Sequence, residues 1–461
     1  MNPRTADIQQ SIWKDFSEDT FRSHLVLLEE RTNAVPVDSQ LFPVASLAET
    51  RSARHYGLSI RDEQTLADAF AFLAAVQEGA QSVAAVCLEE HIRQHTLTVR
   101  FAAVDTISLD LQQALHTVSI ILGASGSPDD RDLRSKELFH FVVRLHFKRI
   151  LGRLRSSKWE KPKYLSRTHK KSLWQDFDNL AHRVQFVYTK REKELRDDVQ
   201  HNIRTLADTY SRFESVSAKS VEEFELLVHL IQVSYDFCTS TTARDYARRM
   251  SNAGQTNQVR AAVKTLRQIE KVAAYYRVPA TLIRVSHRYP QYFRAEGLRM
   301  EYLAPYASVP TSIGYEDWAR TCHVHAEIQL VVYYDMRSCD TNMVDDPNHD
   351  SLMPRVMGTS KYLCYLCYLF IKFHSGFPAA NTHGRLYDQW TVPDLAEYSQ
   401  EQRERYRQVI KSMDEAIMTH ASKPPCWRAE PMTSRENLLN SVQEESAIVL
   451  SQSVIRDTAR R

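Results

Sequence analysis

The chain has 461 residues, 43% hydrophobic and 25% charged, with a formal net charge of +2. That length holds two or three domains with real cores, and the charge balance neither marks a nucleic-acid binder nor rules one out, because a local patch can do that work. The first twenty residues are polar and no run of about 18 apolar residues occurs, so neither a secretory leader nor a membrane span is expected and the chain reads as intracellular.

Glycine is scarce, 11 in all, and helix-forming residues fill the long stretches between prolines. Residues 1–255 show apolar positions three or four apart in 109–122, 138–154 and 224–237, which predicts a mainly α-helical N-terminal region. Gly123–Asp130 carries the Gly, Ser, Pro and Asp content of a loop, and no fixed-period repeat is present. Between Lys148 and Lys171 a basic run (Arg149, Arg153, Arg155, Lys158, Lys161, Lys163, Arg167, Lys170) interleaves Trp159 and Tyr164 with one acid, Glu160. Such a run fits nucleic-acid phosphates, and it equally fits a solvated face or linker.

Over 256–395 the pattern alternates. A helix-like run reaches Tyr276, strands are expected at Thr281–Ser286 and Met300–Tyr306, and a helix over His325–Tyr334. After an Asp- and Asn-rich loop, a strand is expected at Arg355–Thr359, a helix from Cys364, and a strand at Leu386–Val392. Alternation of this kind argues for an α+β or α/β fold, an α/β domain following the helical region. Residues 396–461 read as an extension, helical over Glu397–His420, broken by Pro424, Pro425 and Pro431, and polar at its end apart from Ile448–Leu450.

Seven cysteines suit reduced thiols better than a disulfide framework, and only Cys364 and Cys367 form a close pair. With His325 of His325-Ala326-Glu327 they make three metal ligands of the kind zinc takes, and a helix N-terminus favours the thiolate forms. A catalytic zinc leaves its fourth position to water and lowers that water's pKa, and a carboxylate beside it can shuttle the proton. In a helix interior, side chains two apart point roughly 200° from each other, so His325 and Glu327 meet only at a helix start. Cys322, three residues before His325, allows the rival reading of a closed four-ligand structural site. Cys364 and Cys367 alone also fit a thiol redox pair. His323 reads as a polar loop residue, and Cys339 and Cys426 as inert thiols. His383, Tyr387 and Trp390 follow the second metal segment and could line a base pocket, although aromatics are mostly core.

The order H-x-E then C-x-x-C is the zinc deaminase signature, apart from Leu363 where that signature has Pro. The segments HAEIQLVVYY, GTSKYLCYLCYLFIKFHSGF and THGRLYDQWTVP resemble a mostly fungal deaminase-like family of the cytidine deaminase-like superfamily, grouped with bacterial toxin-type deaminases. The resemblance covers about residues 270–395. It implies an α/β/α sandwich, Zn2+ on His325, Cys364 and Cys367, a catalytic Glu327, and a nucleobase-containing substrate (nucleoside, nucleotide or single-stranded nucleic acid). The alternative is a zinc-stabilised interaction module that kept the fold, lost catalysis, and recruits a protein partner through its helical half.

Overall fold

The computed structural model describes residues 10–42, 56–79, 82–123, 131–163, 171–254, 256–294, 296–339, 351–429, 431 and 439. The loop expected after Gly123, Tyr164, Arg167 and Lys170 of the basic run, the Asp- and Asn-rich loop at 340–350, Ile448–Leu450 and the side chain of Cys339 lie outside the described residues. The first elements are α1 (Glu18–Thr32), α2 (Ile60–Ala74), β1 (Ala84–His91), β2 (Thr96–Ala103), α3 (Leu109–Gly123), α4 (Arg131–Leu145) and α5 (Phe147–Leu154). Then come α6 (Phe177–Val187), α7 (Lys193–Ser215), α8 (Val221–Thr239), α9 (Thr241–Asn252) and α10 (Asn257–Arg288). The remainder is β3 (Leu298–Tyr302), β4 (Val309–Pro310), β5 (Thr321–Val324), α11 (Ala326–Cys339), β6 (Ser351–Leu352), β7 (Gly358–Thr359), α12 (Tyr365–His374), β8 (Trp390–Thr391) and α13 (Gln400–Ala421). The fold is mixed helix and sheet. No described helix is long and apolar enough to cross a membrane.

Contacts divide the chain into two compact units, 1–134 with 281–435, and 135–280 with 436–461. Among the described residues the second unit is helical. α7 turns Val199, Ile203, Leu206, Tyr210 and Phe213 inward at spacings of three or four, the stripe that packs one helix on others. Within this unit the Tyr210 hydroxyl meets Ser234 Oγ at 2.7 Å, and the Tyr246 hydroxyl donates to Leu180 O at 2.7 Å.

The first unit holds all the described strands. β1 and β2 form an antiparallel hairpin from Ala84↔Ala103 to His91↔Thr96, β3 runs parallel to β2, and β6 and β7 pair with the other edge of β1. Successive strand residues face opposite sides, and the neighbours Glu89 and Glu90 show what covers each face. Glu89 accepts from Tyr334 and Arg337 of α11 and from Arg100 of β2, whereas Glu90 accepts from the backbone of Gly57 and Leu58, just before α2, and from the Tyr292 hydroxyl. β1 is therefore packed on both sides. A shorter sheet has β5 between β4, antiparallel, and β8, parallel.

Two sequence expectations change. β1 and β2 lie inside the stretch read as helical, because the adjacent Glu89 and Glu90 disguise a strand whose charges are satisfied internally rather than by water. Thr281–Ser286 is not a strand but the end of α10, where Leu282, Ile283 and Val285 are all buried; packing overrides the β-branched composition. The expected strands at Arg355–Thr359 and Leu386–Val392 shorten to β7 and β8, and the one at Met300–Tyr306 starts two residues earlier, as β3. The helices after His325, after Cys364 and before His420 form as expected.

Glu89 yields a stability prediction. Burial alone would raise its carboxyl, but Arg100 and Arg337 outweigh burial and hold it below the usual carboxylate range. A depressed folded pKa gives stability that is complete above the unfolded value and is lost as pH falls through the folded one. Glu89→Ala strands two arginines and is expected to cost about 3–5 kcal/mol in denaturant unfolding at pH 7, with the gap to wild type narrowing on acidification below about pH 4.

Candidate metal centre

β5 delivers His325 to the entrance of α11. Gln329 N donates to His325 O at 3.0 Å, so His325 occupies the cap and Glu327 the first turn. This is the helix start that lets the two side chains converge. The Gln329 amide ties the turn down, donating to Val324 O at 3.0 Å and to Ala103 O, at the end of β2, at 2.8 Å.

The second helix arrives in the same manner. Cys364 is the N-cap of α12, with extended backbone (φ −70, ψ 166), and its sulfur accepts from Cys367 N at 3.4 Å. Both thiols thus lie at the positive end of the α12 dipole. Leu363, just before, is fixed by a parallel bridge to Thr382, its N–H donating to Asn381 O at 2.9 Å.

His325 Nδ1 stands 3.7 Å from Cys364 Sγ and 3.4 Å from Cys367 Sγ, and the three ligand atoms lie within 4.8 Å of one another. A tetrahedral zinc with sulfur at about 2.3 Å and nitrogen at about 2.0–2.1 Å separates those donors by about 3.5 Å. The donor set therefore fits a metal ion in both chemistry and spacing, and these three residues could hold one. Glu327 is beside it, buried, with Oε2 3.6 Å from Cys367 Sγ.

The electrostatics follow from crowding these groups away from water. Burial opposes ionisation of Cys364, but its hydrogen bonds with Cys367 and the His325 imidazole outweigh that and hold it well below the usual thiol range. Burial and the neighbouring Cys364 charge push Cys367 the other way. Burial would lower His325, and the Cys364 thiolate more than compensates, while burial raises Glu327.

Cys322 is fully buried with its thiol 3.6 Å from Asp388 O, and burial pushes it up to about 11. It is not among the three clustered ligands. His323, half-buried on β5, has Nε2 3.3 Å from Thr321 Oγ1. Of the downstream candidates, Trp390 is 1% exposed in β8, packed on Phe21 and Phe370. Its indole N–H is buried without a hydrogen-bond partner. Trp390 is a packed core side chain. His383 is buried and meets Tyr387 edge-on at 5.9 Å, with the Arg385 guanidinium 5.4 Å from the Tyr387 ring centre.

Two further residues escape a reading by motif. Gly384 has φ +74, and a Cβ there would lie 2.2 Å from Val37 O, so only glycine lets the loop pass the N-terminal segment. Arg22 of α1 donates to Asp388 O at 3.1 Å. Of the basic run, Lys158 donates to Phe213 O at 2.6 Å and lies over the Phe213 ring, Arg155 pairs with Asp176, and Arg149 is buried. Lys158 and Arg155 thus have partners in their own unit.

Residues 324–394 match the OTT_1508_deam family, described as a "-like deaminase". Comparison with curated proteins and with solved structures gives no match. The matched segment begins one residue before His325 and ends just beyond β8, so it contains all three clustered ligands and Glu327.

Metal analysis of purified variants checks the ligand set. Cys364→Ser is expected to lose most of the bound metal and to unfold at lower temperature, because metal binding is coupled to folding. Cys322→Ala is expected to keep its metal content.

Proposed function

We propose that the first unit is a zinc-dependent hydrolytic deaminase with a cytidine deaminase-like α/β/α core, acting on the amino group of a cytosine or adenine ring in a nucleoside, nucleotide or nucleic acid. The observation that carries this reading is the three-donor cluster with Glu327 against it and Cys322 turned to Asp388 O. Three protein ligands leave a zinc position for water, the arrangement of catalytic rather than structural sites. The deaminase family match over this segment supports the same chemistry.

On this reading His325, Cys364 and Cys367 hold the ion, whose contribution is to lower the pKa of water. Glu327 takes a proton from the attacking water and passes it to the ring nitrogen beside the amine-bearing carbon. It then passes the second to the departing amino group. A carbon–oxygen bond forms, the carbon–nitrogen bond breaks, and ammonia leaves. Burial of Glu327 suits a group that must accept and return protons in one turnover.

The Leu363 departure has a local explanation that does not require lost activity. Its N–H is used, donating to Asn381 O, and a proline has no N–H to give. This weakens the warrant for an inactive shell.

Ammonia release from cytosine, cytidine, adenosine, and single-stranded DNA and RNA tests the proposal. Glu327→Gln is expected to lower release from the true substrate by about 100-fold or more while retaining zinc. Zinc-loaded wild type that releases no more ammonia than the variant from any of these would sink it.

A further inference from the structure

The loop after α12 runs alongside the metal segment in a defined register. Leu363 N donates to Asn381 O, His383 N donates to Leu363 O at 3.1 Å, and Thr382 Oγ1 donates to Leu363 O at 2.9 Å. Leu363 thereby pairs with Thr382 in parallel. The His383 N–H bond to Leu363 O sets the His383 backbone beside the residue that precedes Cys364. At Gly384 the chain turns away, with positive φ, and Tyr365 N donates to Arg385 O at 2.8 Å.

The same loop fixes the tautomer. His383 Nδ1 accepts from Arg385 N at 3.1 Å, so it carries no proton, and in a neutral ring the proton sits on Nε2. The result is a buried side chain, 3% exposed, presenting a single N–H donor from the edge opposite its own backbone contact. Leaving such a donor without an acceptor is costly.

We propose that His383 is a substrate-recognition residue whose Nε2–H donates to a ring carbonyl, making the preferred base cytosine rather than adenine. This rests on the deaminase reading of the site and narrows its substrate. Deamination at carbon 4 of cytosine protonates nitrogen 3, and the next ring position carries a carbonyl oxygen. In adenine, deaminated at carbon 6 with proton delivery to nitrogen 1, the next position is a C–H. A fixed donor beside the metal segment is satisfied by the first ring and left unpaired by the second.

The test uses the full chain loaded with zinc and two probes that carry no amine to leave. Pyrimidin-2-one ribonucleoside keeps the ring carbonyl and lacks the amine, and purine ribonucleoside has the C–H instead. Calorimetric titration is expected to give tighter binding of the pyrimidinone. His383→Leu is expected to weaken that probe by about 10- to 100-fold with little change for the purine, and His383→Gln, which keeps an N–H donor, to restore most of the loss. Undiminished pyrimidinone binding in His383→Leu, or equal loss for both probes, overturns the recognition role and leaves the deaminase reading standing. So does ammonia release from adenosine in preference to cytidine. A wild type that holds zinc, binds neither probe and releases no ammonia overturns both readings. Nitrogen NMR of the wild-type imidazole, assigned by loss of the signal in His383→Gln, gives an activity-independent check. A ring protonated on Nε2 with Nδ1 bare is expected, and a proton on Nδ1 rules the role out.

Discussion

Two thiols and an imidazole packed within 4.8 Å of one another, with a carboxylate against them and the thiols and carboxylate buried, form an arrangement that folding alone would not favour. Each group prefers solvent or a partner, and burying several ionisable groups together is costly unless they are neutralised. Much of the first unit can be understood as what holds this cluster in place. Two helices begin at it, one capped by His325 and the other by Cys364, so that backbone N–H groups point where negative charge gathers. Gln329 pins the first start to the end of β2, and the Leu363–Thr382 bridge pins the second to its own downstream loop.

The next layer of support comes from charges that never reach water. Glu89 fastens α11 to β1 and β2 through two arginines and a tyrosine, and Glu90, on the opposite face, gathers the backbone before α2 and the Tyr292 hydroxyl. Because their partners lie on different elements, the two carboxylates act as rivets through the sheet. The α11 start is thereby fixed relative to β1, and with it Glu327 relative to the ligands. The N-terminal segment adds a further brace. Arg22 reaches Asp388 O, Leu386 N donates to Ala34 O, and Gln40 pairs with Thr382, so residues far from the motif hold the loop that carries His383.

Within that frame the loop from Asn381 to Arg385 gives the site its asymmetry. Its backbone fixes Leu363, its His383 ring is locked in one tautomer by the Arg385 N–H, and Gly384 allows the turn that releases it past Val37. Trp390, further on, is buried against Phe21 and Phe370. One short stretch thus braces the segment that leads into Cys364 and carries the His383 ring.

The donor types and their order were legible in the sequence: His325, Glu327, Cys364 and Cys367 are close in two short motifs, and the helix starts that make them converge follow from where the apolar period begins. The helices α11, α12 and α13 were legible for the same reason, since local periodicity reports local structure. What only the tertiary structure decided depends on partners distant in the chain. β1 looks polar at Glu89 and Glu90 until Arg100, Arg337 and Tyr292 arrive to satisfy them, and Thr281–Ser286 looks extended until packing completes α10. By spacing, Cys322 could join Cys364 as a fourth ligand. The first is turned to Asp388 O and the second caps a helix beside His325, because strand register and helix start, not residue type, set where a thiol points.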